Sequence, residues 1–233
     1  MIELLKSGMK TLEVLILRGG EGNTYDEIIE LGESGGVPMR FAERREFDLL
    51  FPDETHQGTA ASFYPNPPVS FDDLIVGSGP SLLIMLDGVT DPHNLGAVIR
   101  SAEVFGAQGV VIPERRAAGL TPAAIKTSAG AALRIPTSQV GNLAQAMKRL
   151  KEAGYWIYGL DPEAKSSLWA EVFGERVCVV FGSEGSGLAR LTKELCDHLI
   201  AIPQSGQIGS LNISASAAVV LAELSRRSEK KGL

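Results

Sequence analysis

Cysteine is scarce in this chain of 233 residues: there are two, Cys178 in an apolar, strand-like run and Cys196 in a helix-like one. Two cysteines do not build a disulfide framework, and neither has a partner in a C-x-x-C arrangement. Both read as small buried residues in a reducing compartment. Histidine is nearly as scarce, and His56, His93 and His198 show no metal-ligand spacing, so no metal is expected. No apolar run approaches the ~20 residues that cross a bilayer, so no membrane partner is expected. The start, Met1-Ile2-Glu3-Leu4-Leu5-Lys6, lacks the charged-then-apolar order of a secretion signal, which favours the cytoplasm. The dinucleotide fingerprint G-x-G-x-x-G, the phosphate loop and the G-x-S-x-G elbow of hydrolases are also missing, which counts against nicotinamide, nucleoside triphosphate and serine-hydrolase chemistry.

A chain with 44% hydrophobic and 21% charged residues has the ordinary balance of a soluble globular protein, long enough for one large domain or two modest ones. Its net charge of −6 argues mildly against a polyanionic partner, although local clusters matter more than the sum. Arg44-Arg45, Arg115-Arg116 and Lys148-Arg149 with Lys151 are such clusters, with solvated surface as their ordinary reading. Breakers divide the chain: residues 63–81 hold Pro65, Pro67, Pro68, Gly77, Gly79 and Pro80 and read as a linker. Before it, residues 1–62 carry two strand-like and two helix-like segments, a small α/β unit.

Beyond it, residues 82–233 alternate continuous apolar runs (Leu82–Leu86, Gly109–Ile112, Trp156–Leu160, Val177–Phe181, Leu199–Ile202) with helical patterns (Leu95–Phe105, Ala123–Ala131, Leu143–Ala153, Leu211–Arg227). That alternation predicts a mostly parallel sheet with helices on both faces. Ligands bind beyond the carboxyl ends of such strands. Three post-strand loops stand out there. The first is Asp87-Gly88-Val89-Thr90-Asp91-Pro92-His93-Asn94-Leu95-Gly96 with Arg100, and the second is Gly182-Ser183-Glu184-Gly185-Ser186-Gly187. The third runs from Ile202-Pro203-Gln204-Ser205-Gly206-Gln207-Ile208-Gly209 to Ser210-Leu211-Asn212. Each residue has a plain structural reading: Asn94 and Ser210 as helix N-caps, Arg100 as a solvent-facing arginine, Glu184 as a carboxylate favoured by a helix dipole. Asn212, placed one step inside the expected helix, has none. Together they form a polar set of Asn, Arg, Glu, Ser and Asn, which positions and polarises rather than attacking covalently.

In order and spacing these loops resemble the three motifs of the SpoU (TrmH-like) family of SPOUT RNA ribose 2′-O-methyltransferases, over residues 82–227. His56-Gln57-Gly58, after a small α/β unit, resembles the branch that methylates a guanosine ribose of 23S ribosomal RNA. The resemblance implies an α/β trefoil-knot domain over 82–233, preceded by an L30e-like RNA-binding domain over 1–62. It implies S-adenosylmethionine as cofactor, RNA as partner and a homodimer with the site near the subunit interface. The small residues Ala215, Ala217, Ala218 and Ala222 of the last helix would let helices pack closely there. By the same resemblance Gly182, Ile202 and Leu211 would hold the cofactor through backbone atoms, and Asn94, Arg100, Glu184, Ser210 and Asn212 would form the catalytic set. Arg100 is read as stabilising the developing alkoxide, because a guanidinium with a pKa above ~12 makes a poor base. Glu184 is read as orienting Asn94 or Arg100. Gln204 and Ser205 depart from the family pattern, which has an apolar residue and a small one there. A transfer RNA ribose methyltransferase and a non-catalytic RNA-binding knotted dimer are the alternatives.

Overall fold

A computed structural model describes residues 1–52, 56–63, 68–115, 117–206 and 209–231. The chain divides into two compact units, Met1–Pro67 and Pro68–Leu233. Pro65, Pro67, Arg116, Gln207 and Ile208, singled out in the sequence, lie outside the described residues.

The first unit runs α1 (Ile2–Lys6), β1 (Thr11–Leu17), α2 (Asn23–Ser34), β2 (Met39–Ala42), α3 (Arg44–Leu50) and β3 (Thr59–Phe63). Its sheet has the order β2-β1-β3, with β2 parallel and β3 antiparallel to the central β1. Val14 and Ile16 pack with Ile28 of α2 on one face, while Leu15 packs with Ala42 and Phe47 on the other. This is the period-two burial of a strand covered on both sides. His56-Gln57-Gly58 is a tight turn: Gln57 and Gly58 have φ of 48° and 73°, and the Thr59 N–H donates to the His56 carbonyl at 3.0 Å. Two successive positive φ values match the hairpin class that favours glycine. The His56 ring stacks on Phe47 and its Nδ1 accepts from the Gly58 N–H at 3.0 Å, so folding already occupies this side chain.

The second unit runs α4 (Phe71–Ile75), β4 (Ser81–Asp87), α5 (Pro92–Val104), β5 (Gly109–Pro113), α6 (Pro122–Thr127), β6 (Thr137–Val140), α7 (Leu143–Glu152), β7 (Trp156–Leu160), β8 (Ser166–Ser167), β9 (Arg176–Gly182), α8 (Arg190–Leu195), β10 (His198–Ala201) and α9 (Ile213–Lys231). Its seven strands pair in parallel in the order β6-β5-β4-β9-β7-β10-β8. Alternate residues of β4 face opposite cores. Ile84 and Leu86 meet α5, α6 and α9, whereas Leu83 and Met85 meet α4 and α7. From β4 the chain first builds outward through β5 and β6. It then crosses to β7 and fills the gap with β9, so the winding reverses beside β4. Crevices at such reversals are where open α/β sheets bind ligands.

Several sequence boundaries shift for local reasons. The stretch 63–81 is not a bare linker: Ser70 caps α4 by accepting from the Asp72 N–H at 3.2 Å, and Phe71 and Leu74 enter the core of the second unit. The last helix begins at Ile213 rather than Leu211, and its cap is Asn212 rather than Ser210: the Asn212 Oδ1 accepts from the Ser214 N–H at 2.8 Å. Asn94 is likewise not a cap. Asp91 caps α5 through the His93 N–H at 2.9 Å, with Pro92 at the first helical position, which needs no N–H donor. The basic clusters are partly neutralised, Arg44 by Asp48, Arg149 by Asp72 and Lys151 by Asp197. Cys178 is buried in β9, and burial pushes the Cys196 thiol up to about 12, so both are protonated packing residues at neutral pH. Among the described residues no helix is long and apolar enough to cross a membrane, and no group of His, Cys, Asp and Glu is arranged to hold a metal ion.

Gly96 marks the tightest approach of α5 to α6. A β-carbon there would lie 2.4 Å from the Ala124 carbonyl oxygen and 2.9 Å from the Thr127 Cβ. Backbone cannot yield as a flexible side chain does, so Gly96→Ala is expected to destabilise the second unit by about 1–3 kcal/mol. Urea unfolding of the variant checks this, and a loss below a few tenths would contradict the contact.

Candidate active site

Four loops meet beyond the carboxyl ends of the central strands: those after β4, β7, β9 and β10. The loop after β9 folds back on itself, with Ser183 and Gly187 exchanging backbone N–H···O bonds of 3.0 Å in both directions. Gly187 turns the chain at φ +64°, and Gly182 lies flat against the hairpin. A β-carbon on Gly182 would sit 2.1–2.3 Å from the Gly187 carbonyl group and the Leu188 nitrogen. The hairpin is anchored to β4, since the Ala189 N–H donates to Asp87 Oδ2 at 2.9 Å.

The hairpin tip carries Glu184 toward the starts of α5 and α9. Its Oε1 accepts from Asn94 Nδ2 at 2.8 Å and from Asn212 Nδ2 at 2.6 Å. Asn212 Nδ2 also donates to Asn94 Oδ1 at 3.2 Å, and Asn94 Nδ2 donates to Asp91 Oδ2 at 3.0 Å. Asn94 is only 8% exposed, so its amide is committed to this network. Two helix N-termini converge on one carboxylate, and their dipoles favour its negative charge. Glu184 Oε2 makes no hydrogen bond among the described residues. Asn212 thus does two jobs: its oxygen caps α9, and its nitrogen holds Glu184.

Beside this triangle lies a cavity of about 350 Å³, within the range of small-molecule sites. Leu160 to Glu163 after β7 form one wall, Phe181 to Gly187 a second, and Ile202, Gln204, Ser210 and Leu211 a third. Gly182, Ile202 and Leu211 therefore share one cavity, which Ser210 and Glu184 also line. Its charged lining residues, among those described, are Asp161, Glu163 and Glu184 against Lys193, an excess of negative charge.

Arg100 is not part of the triangle. It lies six residues after Asn94 on α5, which at 3.6 residues per turn puts it about 120° around the helix. It is exposed and has no hydrogen-bond or ion-pair partner among the described residues. His93 is about 20° from it on the same face, with Nδ1 3.1 Å from the Thr127 hydroxyl oxygen. So the structure gathers Asn94, Glu184 and Asn212, places Ser210 nearby on the cavity wall, and leaves Arg100 on a separate, solvent-facing stripe. Sequence reasoning missed Asp87, Asp91, Asp161 and Lys193. The first three follow strands or precede a helix, so their position at strand ends was the available signal. Lys193, inside a short helix, offered none.

Comparison with known proteins identifies the family. The SpoU rRNA Methylase family matches residues 81–222, and the family described as RNA 2′-O ribose methyltransferase substrate binding matches residues 1–69. The chain is 40% identical over 218 residues to the 23S rRNA (guanosine-2′-O-)-methyltransferase RlmB of Escherichia coli, covering 92% of this chain and 90% of that protein. An uncharacterized tRNA/rRNA methyltransferase of Synechocystis is 41% identical over 207 residues, 87% of this chain; the chain spans about half (54%) of that protein's length. Among solved structures, the SpoU methyltransferase AviRb of Streptomyces viridochromogenes superposes with a TM-score of 0.83 at 22% identity, covering 98% of this chain and 86% of that one. The same protein in complex with AdoMet gives 0.81 at 24% identity, covering 97% and 86%. Those structures share the fold of the whole chain, and the sequence matches run through all three loops of the site. The chain belongs to the SpoU rRNA methylase family.

Proposed function

We propose that this chain transfers the methyl group of S-adenosylmethionine to the ribose 2′-hydroxyl of a guanosine in 23S ribosomal RNA. The observation that carries this reading is the juxtaposition of the Asn94–Glu184–Asn212 triangle with the cavity. The substrate class rests on the 40% identity to RlmB over nine tenths of both chains. Residues of the cavity fit the cofactor: the flat Gly182 backbone leaves room a side chain would fill, Leu160, Phe181, Ile202 and Leu211 offer apolar walls, and the acidic excess suits a ligand that carries a sulfonium and an ammonium.

When bound, the cofactor supplies a methyl group already activated by the positive sulfur, so the protein's work is alignment and charge management. Glu184 holds the two amides in place, and its unengaged Oε2 would accept the hydrogen bond of the 2′-hydroxyl and then its proton as the C–O bond forms and the methyl–sulfur bond breaks. Ser210 and the amides of Asn94 and Asn212 fix the side from which the ribose approaches. Arg100 stabilises the developing alkoxide and an adjacent phosphate through its planar fork.

For Arg100 to do so, its stripe must face a site, and a homodimer answers that need. On α5 and α9, which pack together, Val104 is 63% exposed, and Ala215, Ala218 and Ala222 present small side chains outward or half outward, whereas Ala217 is fully buried in the chain's own core and is not available to a partner. A second copy seated on this face would bring Arg100 to the partner's cavity. The N-terminal unit grips RNA as an L30e-like domain, the loop after β9 and the chain after β10 take the trefoil knot that the family resemblance implies, and a substrate in ribosomal RNA fits a cytoplasmic protein.

Arg100→Lys keeps a charge but loses the fork. It is expected to lower methyl transfer by about 10-fold or more, and Arg100→Ala by ~10²-fold or more, with cofactor binding unchanged. Near-full activity of Arg100→Lys would refute the bidentate role. Incubating the purified protein with labelled cofactor and either 23S rRNA or transfer RNA tests the substrate: label in transfer RNA alone would favour the transfer RNA reading, and label in neither would favour a non-catalytic binding dimer.

A further inference from the structure

Nothing in the proposed reaction uses Asp161, yet it is the most deeply set carboxylate of the cavity. It directly follows β7, its side chain is 8% exposed, and its backbone N–H donates to the Ile200 carbonyl at 2.9 Å, fixing it against β10. Its Oδ1 accepts from the Glu163 N–H at 3.0 Å, and its Oδ2 lies 2.6 Å from the Lys193 ammonium on α8. Asp161 and Lys193 both line the cavity. Burial alone would push this carboxyl toward its neutral form, but the Lys193 and Glu163 hydrogen bonds outweigh it and hold the pKa below the usual aspartate value. The group is therefore a fixed anion at neutral pH.

An ionised carboxylate has about four lone-pair sites and no donor. One on each oxygen is taken, by the Glu163 N–H and by Lys193, which leaves each oxygen able to accept a further bond. An adenine edge alternates donors and acceptors and would set ring nitrogens against the anion. A pair of vicinal hydroxyls presents two adjacent donors at the spacing of one carboxylate. The apolar walls at Phe181, Ile202 and Leu211 are the better surface for a flat base.

Building on the cofactor assignment above, we propose that Asp161 is a specificity-determining residue that accepts hydrogen bonds from the ribose hydroxyls of the adenosyl group, with Lys193 as its positioning partner. The pair also ties the wall after β7 to the helix that follows the Glu184 hairpin, so the ribose is read by a rigid corner.

The test measures calorimetric binding of S-adenosylhomocysteine, its 3′-deoxy analogue and 5′-methylthioadenosine, which keeps the ribose but lacks the amino-acid arm. The wild-type protein is expected to bind the 3′-deoxy analogue at least about 10-fold more weakly than S-adenosylhomocysteine, the scale of a hydrogen bond to a charged group. Asp161→Asn is expected to weaken S-adenosylhomocysteine and 5′-methylthioadenosine alike and to shrink the penalty for the missing hydroxyl to about threefold or less. Lys193→Met, with the carboxylate intact, should retain most of that penalty. Equal weakening of the ribo and deoxy ligands in Asp161→Asn would overturn the proposal in favour of a merely structural wall. Weakening of S-adenosylhomocysteine alone would overturn it in favour of contact with the ammonium of the amino-acid arm. If Asp161→Asn does not fold, the wild-type ratio decides: no preference for the 3′-hydroxyl overturns the proposal. Failure of the wild-type protein to bind any of the three would overturn the cofactor reading beneath it.

Discussion

Replacing Glu184 with alanine lowers methyl transfer by ~10²–10³-fold, the scale seen when one preorganised electrostatic group is removed from an active site. The loss has two parts that can be separated. Without the carboxylate, the Asn94 and Asn212 amides lose the acceptor both share at 2.8 and 2.6 Å, so their orientation relaxes and the start of α9 loosens. Asn94 keeps its bond to Asp91 and Asn212 is exposed and keeps its bond to Asn94, so the stability lost is that of ordinary hydrogen bonds, about 0.5–1.5 kcal/mol, which an unfolding titration reads directly. The second part is the charge itself. Glu184→Gln keeps an oxygen that accepts from both amides, so it should restore most of the stability while activity stays low. S-adenosylhomocysteine, which lacks the sulfonium charge, should bind both variants within about tenfold of the wild type, because the cavity walls persist. Full activity in Glu184→Gln would show that geometry, not charge, is what this residue supplies.

Gly182→Ala weakens cofactor binding by a different route. Its β-carbon would lie 2.1 Å from the Gly187 carbonyl carbon, far inside contact distance, and the neighbour is backbone. The hairpin from Ser183 to Gly187 must open, which moves the wall that carries Glu184. A close-packed interior does not absorb such a shift for less than a few kcal/mol. The expected result is a loss of S-adenosylhomocysteine affinity of at least about 100-fold together with a lowered melting temperature. Gly185→Ala is the matched control, because a β-carbon there meets nothing within 4 Å. Equal behaviour of the two variants would refute the claim that the flat Gly182 backbone shapes the cavity.

Much of the second unit was legible because its strands are buried on both faces. Leu82–Leu86 and Val177–Phe181 are continuous apolar runs, and each proved one residue shorter at either end than the strand it marks, Ser81–Asp87 and Arg176–Gly182. The strands the sequence hid are short or polar. β6 is Thr-Ser-Gln-Val on a sheet edge, and β8 is two serines, so neither carries an apolar signal. Helix starts were misplaced where two capping residues stand close together. Ser210 and Asn212 are both good caps by type, and only the tertiary bond from Asn212 to Glu184 decides between them. In the site, the residues that converge are those whose loops follow strands, and the alternation of strands and helices made that convergence expected. Arg100 diverged because helical phase, which the sequence does contain, turns it about 120° from Asn94. Asp161 follows a strand end, but its pairing with Lys193, 32 residues later on α8, exists by contact alone and leaves no trace in the sequence.

The central claim is methylation of a guanosine ribose in 23S ribosomal RNA, and mapping 2′-O-methyl positions in that RNA from cells with and without this protein tests it most directly. A single guanosine that is methylated at its 2′-oxygen only when the protein is present, and again when unmethylated 23S rRNA is incubated with the purified chain and S-adenosylmethionine, is the predicted result. Identical maps in the two strains, or a protein-dependent methyl group on a base, would contradict it.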